Sequence, residues 1–297
     1  MTGLTHSWAE PRKPSRVVVI GAGGFVGQAV VAALKAKGTP CLALGSKDID
    51  LTAPGADEQL VKRLQADDAV VMVSALTPDR GRDIATFMKN LRMMQALCDA
   101  IGKQPVAHVV NIGSDAVYPD AASLVDETTP TAPNGFHGMM HLARELMLTS
   151  IAKMPVALLR PSLLYGAGDT HNGYGPNRFR RTAAKEQRIQ LFGNGEEKRD
   201  HVYIDDLAEL VWRCLAQRSH GTLNIATGQS ASFREAADIV ALQFSKPVEV
   251  APQPRAAGAV ITHRHFQVAA RIRAFPDFTP TSPTAGIAAT HRRDGLD

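Results

Sequence analysis

The segment "RVVVIGAGGFVGQAVVAALKAKG", which starts at Arg16, constrains this chain more than any other stretch. The β-branched run from Arg16 to Ile20 reads as a buried strand. A glycine turn follows it. An amphipathic helix comes next and ends near Gly38, a residue suited to the position just past a helix end. Gly21, Gly24 and Gly27 stand three apart. The first permits a tight turn, the second lets backbone approach a pyrophosphate, and the third lets helix and sheet pack closely. Phe25, Val26 and Gly27 then open the helix, where amide donors and the positive dipole end suit phosphate. A lone glycine triplet is weak evidence, because glycine turns also occur for structural reasons. Its place between a strand and a helix points to dinucleotide binding.

The same alternation continues. "PCLALG", "DAVVMVSA", "AHVVNIGS" and "PVALLRP" read as strands, while "ADEQLVKRLQ", "DIATFMKNLRMMQALCDAIG" and "FHGMMHLARELMLTSIAK" read as helices. Strand and helix in turn predict an α/β chain: a Rossmann-type, doubly wound parallel sheet with helices on both faces. Ligands of such sheets sit at the carboxyl ends of the strands. After Pro161 the pattern loosens. Residues 1–15 read as a loose tail, 16–167 as the dinucleotide-binding domain, and 168–202 with 227–297 as a smaller substrate-binding lobe. "DDLAELVWRCLAQ" and "GTLNIATG", within 203–226, read as a return to the main sheet.

Composition removes several alternatives. The 33 basic and 29 acidic residues are interspersed, and the one basic cluster (Arg178, Arg180, Arg181, Lys185) has no interleaved aromatics. This argues against a nucleic-acid partner. No run of about 18 apolar residues exists, so no membrane span or membrane partner is expected. Cys41, Cys98 and Cys214 lack metal or disulfide spacing and read as free buried thiols in a cytoplasmic protein.

In NAD-binding folds, the strand after the glycine loop ends in an acid about 20 positions on, which holds the ribose 2′-hydroxyl. Here that strand ends "LALGSKDIDLT", with Gly45 in the acid's place and Ser46 and Lys47 after it. A missing carboxylate and a nearby cation favour a 2′-phosphate, hence NADP as preferred cofactor over NAD.

Taken together, these residues resemble the extended short-chain dehydrogenase/reductase family, in particular its nucleotide-sugar epimerases, dehydratases and reductases. The resemblance runs from about Arg16 to about Arg292. It rests on "GAGGFVG", "KDIDLT", "VSAL", Asn90, "NIGSDAVYP", "LRPSLLYGAGD" and "RDHVYIDDLAEL", all in the family's order. It implies that Ser46, Lys47, Asp50, Leu51, Ser74, Ala75, Leu76, Asn90, His141 and Pro161 line the cofactor. It further implies that Ala116, Asn177 and Arg199 meet a nucleotide-sugar substrate. Arg199 would hold the substrate diphosphate, to which a planar guanidinium donates two bonds at once; the alternative is an ion pair with Asp200 or Asp205. Ser114 takes the place of the family's catalytic hydroxyl, or else caps local backbone. Asp115 stands where dehydratases carry an acid, but the glutamate that should follow is Ala116, so the base a 4,6-dehydratase needs is missing. A homodimer through the helices at 84–102 and 136–153 is also implied.

The departure lies in "FHGMMHLARE". The family's tyrosine and lysine, four apart, align with His137 and His141. An imidazole titrates near physiological pH and is suited to move a proton. Its reach is about 2 Å shorter than a tyrosine's by standard bond lengths, and misplacement of about 1 Å can cost on the order of 10²-fold. Three readings stay open: a modified acid–base pair, a relic pair satisfied by cofactor hydroxyls or water, and a metal site. The third has no glutamate in the "HExxH" position and only His171 as a further ligand, so no metal is expected. The expected function is that of an NAD(P)-dependent oxidoreductase or epimerase on a nucleotide-activated sugar. The alternative is a dinucleotide-binding protein of the same fold without turnover.

Overall fold

The computed structural model describes residues 3–255 and 261–296. The main sheet is built from β1 (Leu4–His6), β2 (Arg16–Ile20), β3 (Cys41–Leu44), β4 (Asp68–Met72), β5 (His108–Ile112), β7 (Val156–Pro161) and β11 (Ser219–Ile225). Their spatial order is β1-β11-β7-β5-β4-β2-β3. All neighbours pair in parallel except β1 with β11. β2, β4 and β5 are buried along almost their whole length because both faces are covered, and their cores are valine-rich. On one face α1 (Phe25–Ala36) packs against α6 (Ile204–Ala216); on the other α2 (Ala56–Val61), α3 (Ile84–Lys103) and α4 (Phe136–Ile151) pack in series. The chain reverses its direction of winding between β2 and β4. That opens a crevice beyond their carboxyl ends, where such sheets bind ligands.

The second lobe has three small sheets. β8 (Leu163–Tyr165), β10 (Lys198–Tyr203) and β12 (Ser230–Ser232) form one; β9 (Arg188–Phe192) pairs with β13 (Glu249–Gln253), and β6 (Leu124–Val125) with β14 (His265–Phe266). β6 and β8 precede residue 168, so this lobe draws strands from the first part of the chain. Around the sheets lie α5 (Pro176–Glu186), α7 (Phe233–Ala241), α8 (Ala269–Ala274) and α9 (Pro283–Asp294).

The N-terminal segment departs from the loose tail expected. Leu4, Thr5 and His6 pair antiparallel with Gly221, His220 and Ser219. His6 bonds Ser219 Oγ through Nδ1 at 2.7 Å and the Ala274 carbonyl through Nε2 at 2.9 Å. The physical reason is an otherwise open sheet edge at β11, whose backbone groups this short strand satisfies. Cys98 and Cys214 are buried as expected, but Cys41 is exposed, because β3 is the opposite edge strand and alternation turns the residue outward. Half of the basic cluster at 178–185 is consumed internally, while Arg178 and Lys185 are exposed. Arg180 is fully buried against Asp294 at 2.6 Å, and Arg181 bonds Asn172 and the Asp169 carbonyl. Among the described residues no helix is long and apolar enough to cross a membrane.

Candidate functional site

The glycine loop lies at the crevice between β2 and β4. Gly21 has φ +96°, and a Cβ there would sit 2.5 Å from the Ser74 backbone nitrogen. A Cβ on Gly27 would run into the Gly21 carbonyl. These two glycines are required by the fold itself. Gly24 differs: its φ is −82°, and a Cβ would meet only the Gly21 carbonyl, at 3.6 Å. Gly23 has nothing within 4 Å. The loop therefore leaves an open cradle over the start of α1, where the amides of Phe25, Val26 and Gly27 have no acceptor within the helix. The Phe25 side chain is buried in the core, so only its backbone is offered.

Beside the cradle is a cavity of about 60 Å³ lined by Gly21, Ser46, Asp50, Leu51, Ser74 and Met93, among others. It brings together five residues expected to line the cofactor. Its apolar floor suits a flat base. Asp50 is exposed and accepts from the Thr52 amide and hydroxyl, which holds its carboxyl below the usual range. The sequence reading missed Asp48. Its carboxylate folds back to accept from the Gly45 amide at 2.8 Å, placing an anion at the end of β3 where the sequence showed only glycine. Lys47 and Ser46 stand exposed at the same rim.

The strand end of β4 leads through Ser74 and Ala75 to Leu76. Asn90 does not face a ligand with its amide. Its Oδ1 accepts from Leu76 N–H at 2.8 Å and its Nδ2 donates to the Leu76 and Thr86 carbonyls. Its amide thus ties the loop after β4 to α3. A cavity of about 330 Å³ continues from Leu76 between the starts of α3 and α4, lined by Phe87, Asn90, Phe136, His137 and Met140, with Arg82 at its edge.

The chemistry-bearing groups converge where α4 meets the end of β5. Ser114 Oγ accepts from the Ala116 amide at 3.1 Å, which caps the short 3₁₀ turn Asp115–Val117, and its hydroxyl also bonds the Asp115 carboxyl. α4 is pressed onto this turn at Gly138, where a Cβ would overlap the Ala116 carbonyl. The close approach sets His137 and His141 against the Ser114 turn. Their rings meet edge-on, with centroids 4.8 Å apart. His141 is 5% exposed and His137 partly exposed. Burial lowers His137 below the ordinary imidazole value, and Arg82 adds to this. Burial lowers His141 well below it, helped by His137 and by Arg144. At neutral pH both rings are uncharged. Pro161 closes β7 nearby and is buried. His171 stands apart from the pair, bonded to Asp79 and Thr77. Among the described residues no group of three His, Cys, Asp or Glu is placed to hold a metal.

Of the residues expected to meet a substrate, Arg199 makes no ion pair with Asp200 or Asp205. Asp200 accepts from Thr227 and Gly228, and Asp205 pairs with Arg293. Arg199 instead donates to the Thr262 carbonyl and hydroxyl at 2.7 and 2.8 Å. Arg264, which the sequence reading did not single out, is buried beside it. It donates to the Asp115 carbonyl at 3.0 Å and lies 3.3 Å from the Asp115 carboxylate. Burial pushes Asp115 up from the usual carboxylate value while Arg264 opposes. Asn177 is buried at the start of α5 and its Oδ1 accepts from the Gly166 amide. Arg160 forms a buried fork with Glu145, at 3.0 and 2.6 Å, and also bonds Tyr118, which fixes α4 to β7 beneath the site.

The open cradle at residues 23–24, the donor-bearing helix start and the apolar cavity beside it fit a dinucleotide. The comparisons agree. A sequence profile of the NAD dependent epimerase/dehydratase family matches residues 17–226. A dTDP-L-rhamnose 4-epimerase of Burkholderia thailandensis is 32% identical over 46% of this chain and 38% of its own length. A dTDP-4-dehydro-6-deoxy-D-allose reductase of Streptomyces bikiniensis is 26% identical over 93% of this chain and 95% of its own. Among solved structures, the Thermus thermophilus UDP-glucose 4-epimerase in complex with NAD superposes with a TM-score of 0.81 at 22% identity, covering 94% of this chain and 99% of that one. An epimerase of Methanothermobacter thermautotrophicus gives 0.83 at 18% identity, covering 94% and 92%. With its glycine cradle at the β2/β4 crevice and this profile match over most of its length, the chain belongs to the NAD-dependent epimerase/dehydratase family.

Proposed function

We propose that the protein is an NAD(P)-dependent oxidoreductase or epimerase acting on a nucleotide-activated sugar. The observation that supports this reading is the close approach at Gly138, which presses the start of α4, with His137, onto the turn that follows Ser114. Ser114 donates to the reacting sugar oxygen, and His137 exchanges the proton of that hydroxyl. His141 orients the nicotinamide ribose. Arg199, with its neighbour Arg264, meets the substrate diphosphate, and Asn177 and Ala116 shape the substrate pocket. The bound cofactor supplies hydride chemistry; the chain supplies orientation and the proton path. The test is a mass measurement of nucleotide and sugar that co-purify with the native protein. It is followed by a panel of UDP-, dTDP- and GDP-sugars scored by nicotinamide absorbance and product mass. Dinucleotide binding without conversion of any sugar would favour a non-catalytic role instead.

NADP preference is proposed for Ser46 and Lys47, whose exposed side chains flank the adenine-side cavity. Asp48 favours the opposite choice, since its carboxylate would repel a 2′-phosphate. Lys47→Ala is expected to weaken NADP alone, by about 1.5–3 kcal/mol, the scale of a charge-assisted hydrogen bond. Asp48→Asn is expected to strengthen NADP relative to NAD. Titration calorimetry with both cofactors decides; tighter NAD binding by the unaltered protein would show that Asp48 governs the rim.

A homodimer is proposed through α3 and α4. Phe136, Met139 and Leu146 lie on one exposed face of α4, and Ile84 and Met88 on α3 are exposed as well. Such spacing is an apolar stripe that water leaves uncovered in a monomer. Light scattering is expected to give twice the chain mass for the unaltered protein and the single chain mass for Leu146→Glu.

A further inference from the structure

The cavity of about 330 Å³ beside His137 has walls that suit an apolar group better than a sugar ring. Leu76, Pro78, Phe87, Phe136 and Met140 supply most of its side-chain surface. The rings of Phe87 and Phe136 lie 5.4 Å apart at 35°, so α3 and α4 each contribute one aromatic ring. The polar side chains of the wall are Arg82, Asp83, Thr86, Asn90 and His137. Three of these are turned onto their own surroundings. Asn90 has both ends of its amide engaged, by Leu76 and Thr86. Asp83 accepts from the Thr86 amide at 2.8 Å and bonds the Thr86 hydroxyl as well. Of the wall's polar side chains, His137 and the exposed Arg82 remain to meet a ligand.

A hexose ring carries a hydroxyl on most of its carbons. Each one buried against such a wall loses its bonds to water without replacement, which costs free energy. An apolar group gains instead, roughly in proportion to the area it buries. Size points the same way. A dry apolar cavity of about 150 Å³ takes a benzene molecule, and this one has about twice that volume.

We propose that this cavity is a specificity subsite for a bulky apolar substituent of the substrate, an aryl or acyl group carried close to the reacting carbon, and that Phe87, Phe136 and Met140 select it. The proposal rests on the nucleotide-sugar reading with His137 as the proton-handling residue, because His137 is the part of the wall that ties the cavity to the reacting carbon. The substituent fills the space between the starts of α3 and α4, and the hydroxyl-bearing ring stays outside the apolar walls. Burying the substituent anchors the substrate next to His137 and fixes which carbon is presented to it. The rival occupant is a second copy of this chain, since Phe136 is 44% exposed and lies on the same face of α4 as Met139 and Leu146.

The experiment uses benzyl alcohol as the probe. Its binding is followed by NMR through the ring protons of His137 in the full protein, assigned by their loss in His137→Gln. A saturable shift is expected. Phe87→Ser with Phe136→Ser is expected to weaken the probe about tenfold, the scale of losing two aromatic contacts. Thermal unfolding checks that the double variant folds. If it does not, Phe136→Ser alone, at an exposed position, carries the test with a severalfold loss. UDP-glucose is then added, and the probe is expected to stay bound beside it. UDP-glucose benzoylated in turn at C2, C3, C4 and C6 is expected to displace the probe in at least one case. Absence of a saturable shift in the unaltered protein overturns the proposal, as does displacement of the probe by UDP-glucose itself, which would give the cavity to the sugar ring. Binding of the probe by Leu146→Glu alone also overturns it, because the second copy then covers the cavity. Failure of the nucleotide-sugar reading is separate. It shows as phosphorus signals unmoved by protein for all of these nucleotides, and the probe with its serine variants then decides the apolar character of the cavity by itself.

Discussion

Gly24→Val is expected to lose dinucleotide affinity by about 10²-fold or more, because blocking two charge-assisted hydrogen bonds of about 1.5–3 kcal/mol each costs at least that. The fold is expected to survive. Gly24 has φ −82°, which valine adopts, and its Cβ direction is open to solvent except for one carbonyl at 3.6 Å. Valine is a poorer helix N-cap than glycine, a loss of about 1 kcal/mol or less. The contrast with the other two glycines sharpens the experiment. A side chain at Gly21 strains a left-handed backbone and strikes Ser74, and one at Gly27 strikes Gly21, so both variants are expected to unfold before binding is measured. Calorimetry and thermal unfolding on Gly24→Val separate the two effects. Unchanged affinity in the folded variant would remove the phosphates from this loop.

That loop was legible in the sequence because everything that defines it is local: one strand, three glycines and one helix start within 21 residues of Arg16. Helix and strand periodicity carried the rest of the main sheet for the same reason. What escaped was long-range. Arg264 reaches the Asp115 turn across a separation of 149 residues, and no spacing rule connects them. β1 is three residues long, too short for any period to register, and exists only because β11 offers an edge. Asp48 sits two positions past Ser46, yet its role depends on the turn that returns its carboxylate to Gly45. Gly138 reads as a helix-weakening residue in isolation; its meaning is the Ala116 carbonyl pressed against it. Arg144 in sequence is an ordinary helix arginine. Only the structure shows that it is buried, with its Nε and Nη1 left without a hydrogen-bond partner.

His137→Gln is expected to lower turnover by about 10²–10⁴-fold, the usual contribution of a positioned acid–base group, with dinucleotide affinity near that of the unaltered protein. Glutamine keeps the polarity and approximate volume of the ring but cannot take up a proton. His141→Gln is expected to act on the other quantity, weakening the cofactor, because the buried ring is read as the partner of the nicotinamide ribose. The pH dependence follows from the lowered midpoint of His137. The ring is neutral and competent as a base above that midpoint. Alcohol oxidation is therefore retained below the ordinary imidazole range and lost only as pH falls through the depressed value. Reduction of a keto sugar requires the protonated ring and is expected to be weak at neutral pH and to fade further as pH rises. Restoring the family's pair as His137→Tyr with His141→Lys now carries a specific obstacle. The new ammonium would lie beside the unpaired guanidinium of Arg144 in a buried place, and two like charges there repel strongly. The double variant is expected to stay nearly inactive, and addition of Arg144→Ala is expected to recover activity by relieving that repulsion. Full turnover by both glutamine variants would instead leave the histidines as passengers and move the acid–base work to Asp115, the next titratable group on the same turn, whose carboxyl burial already pushes up.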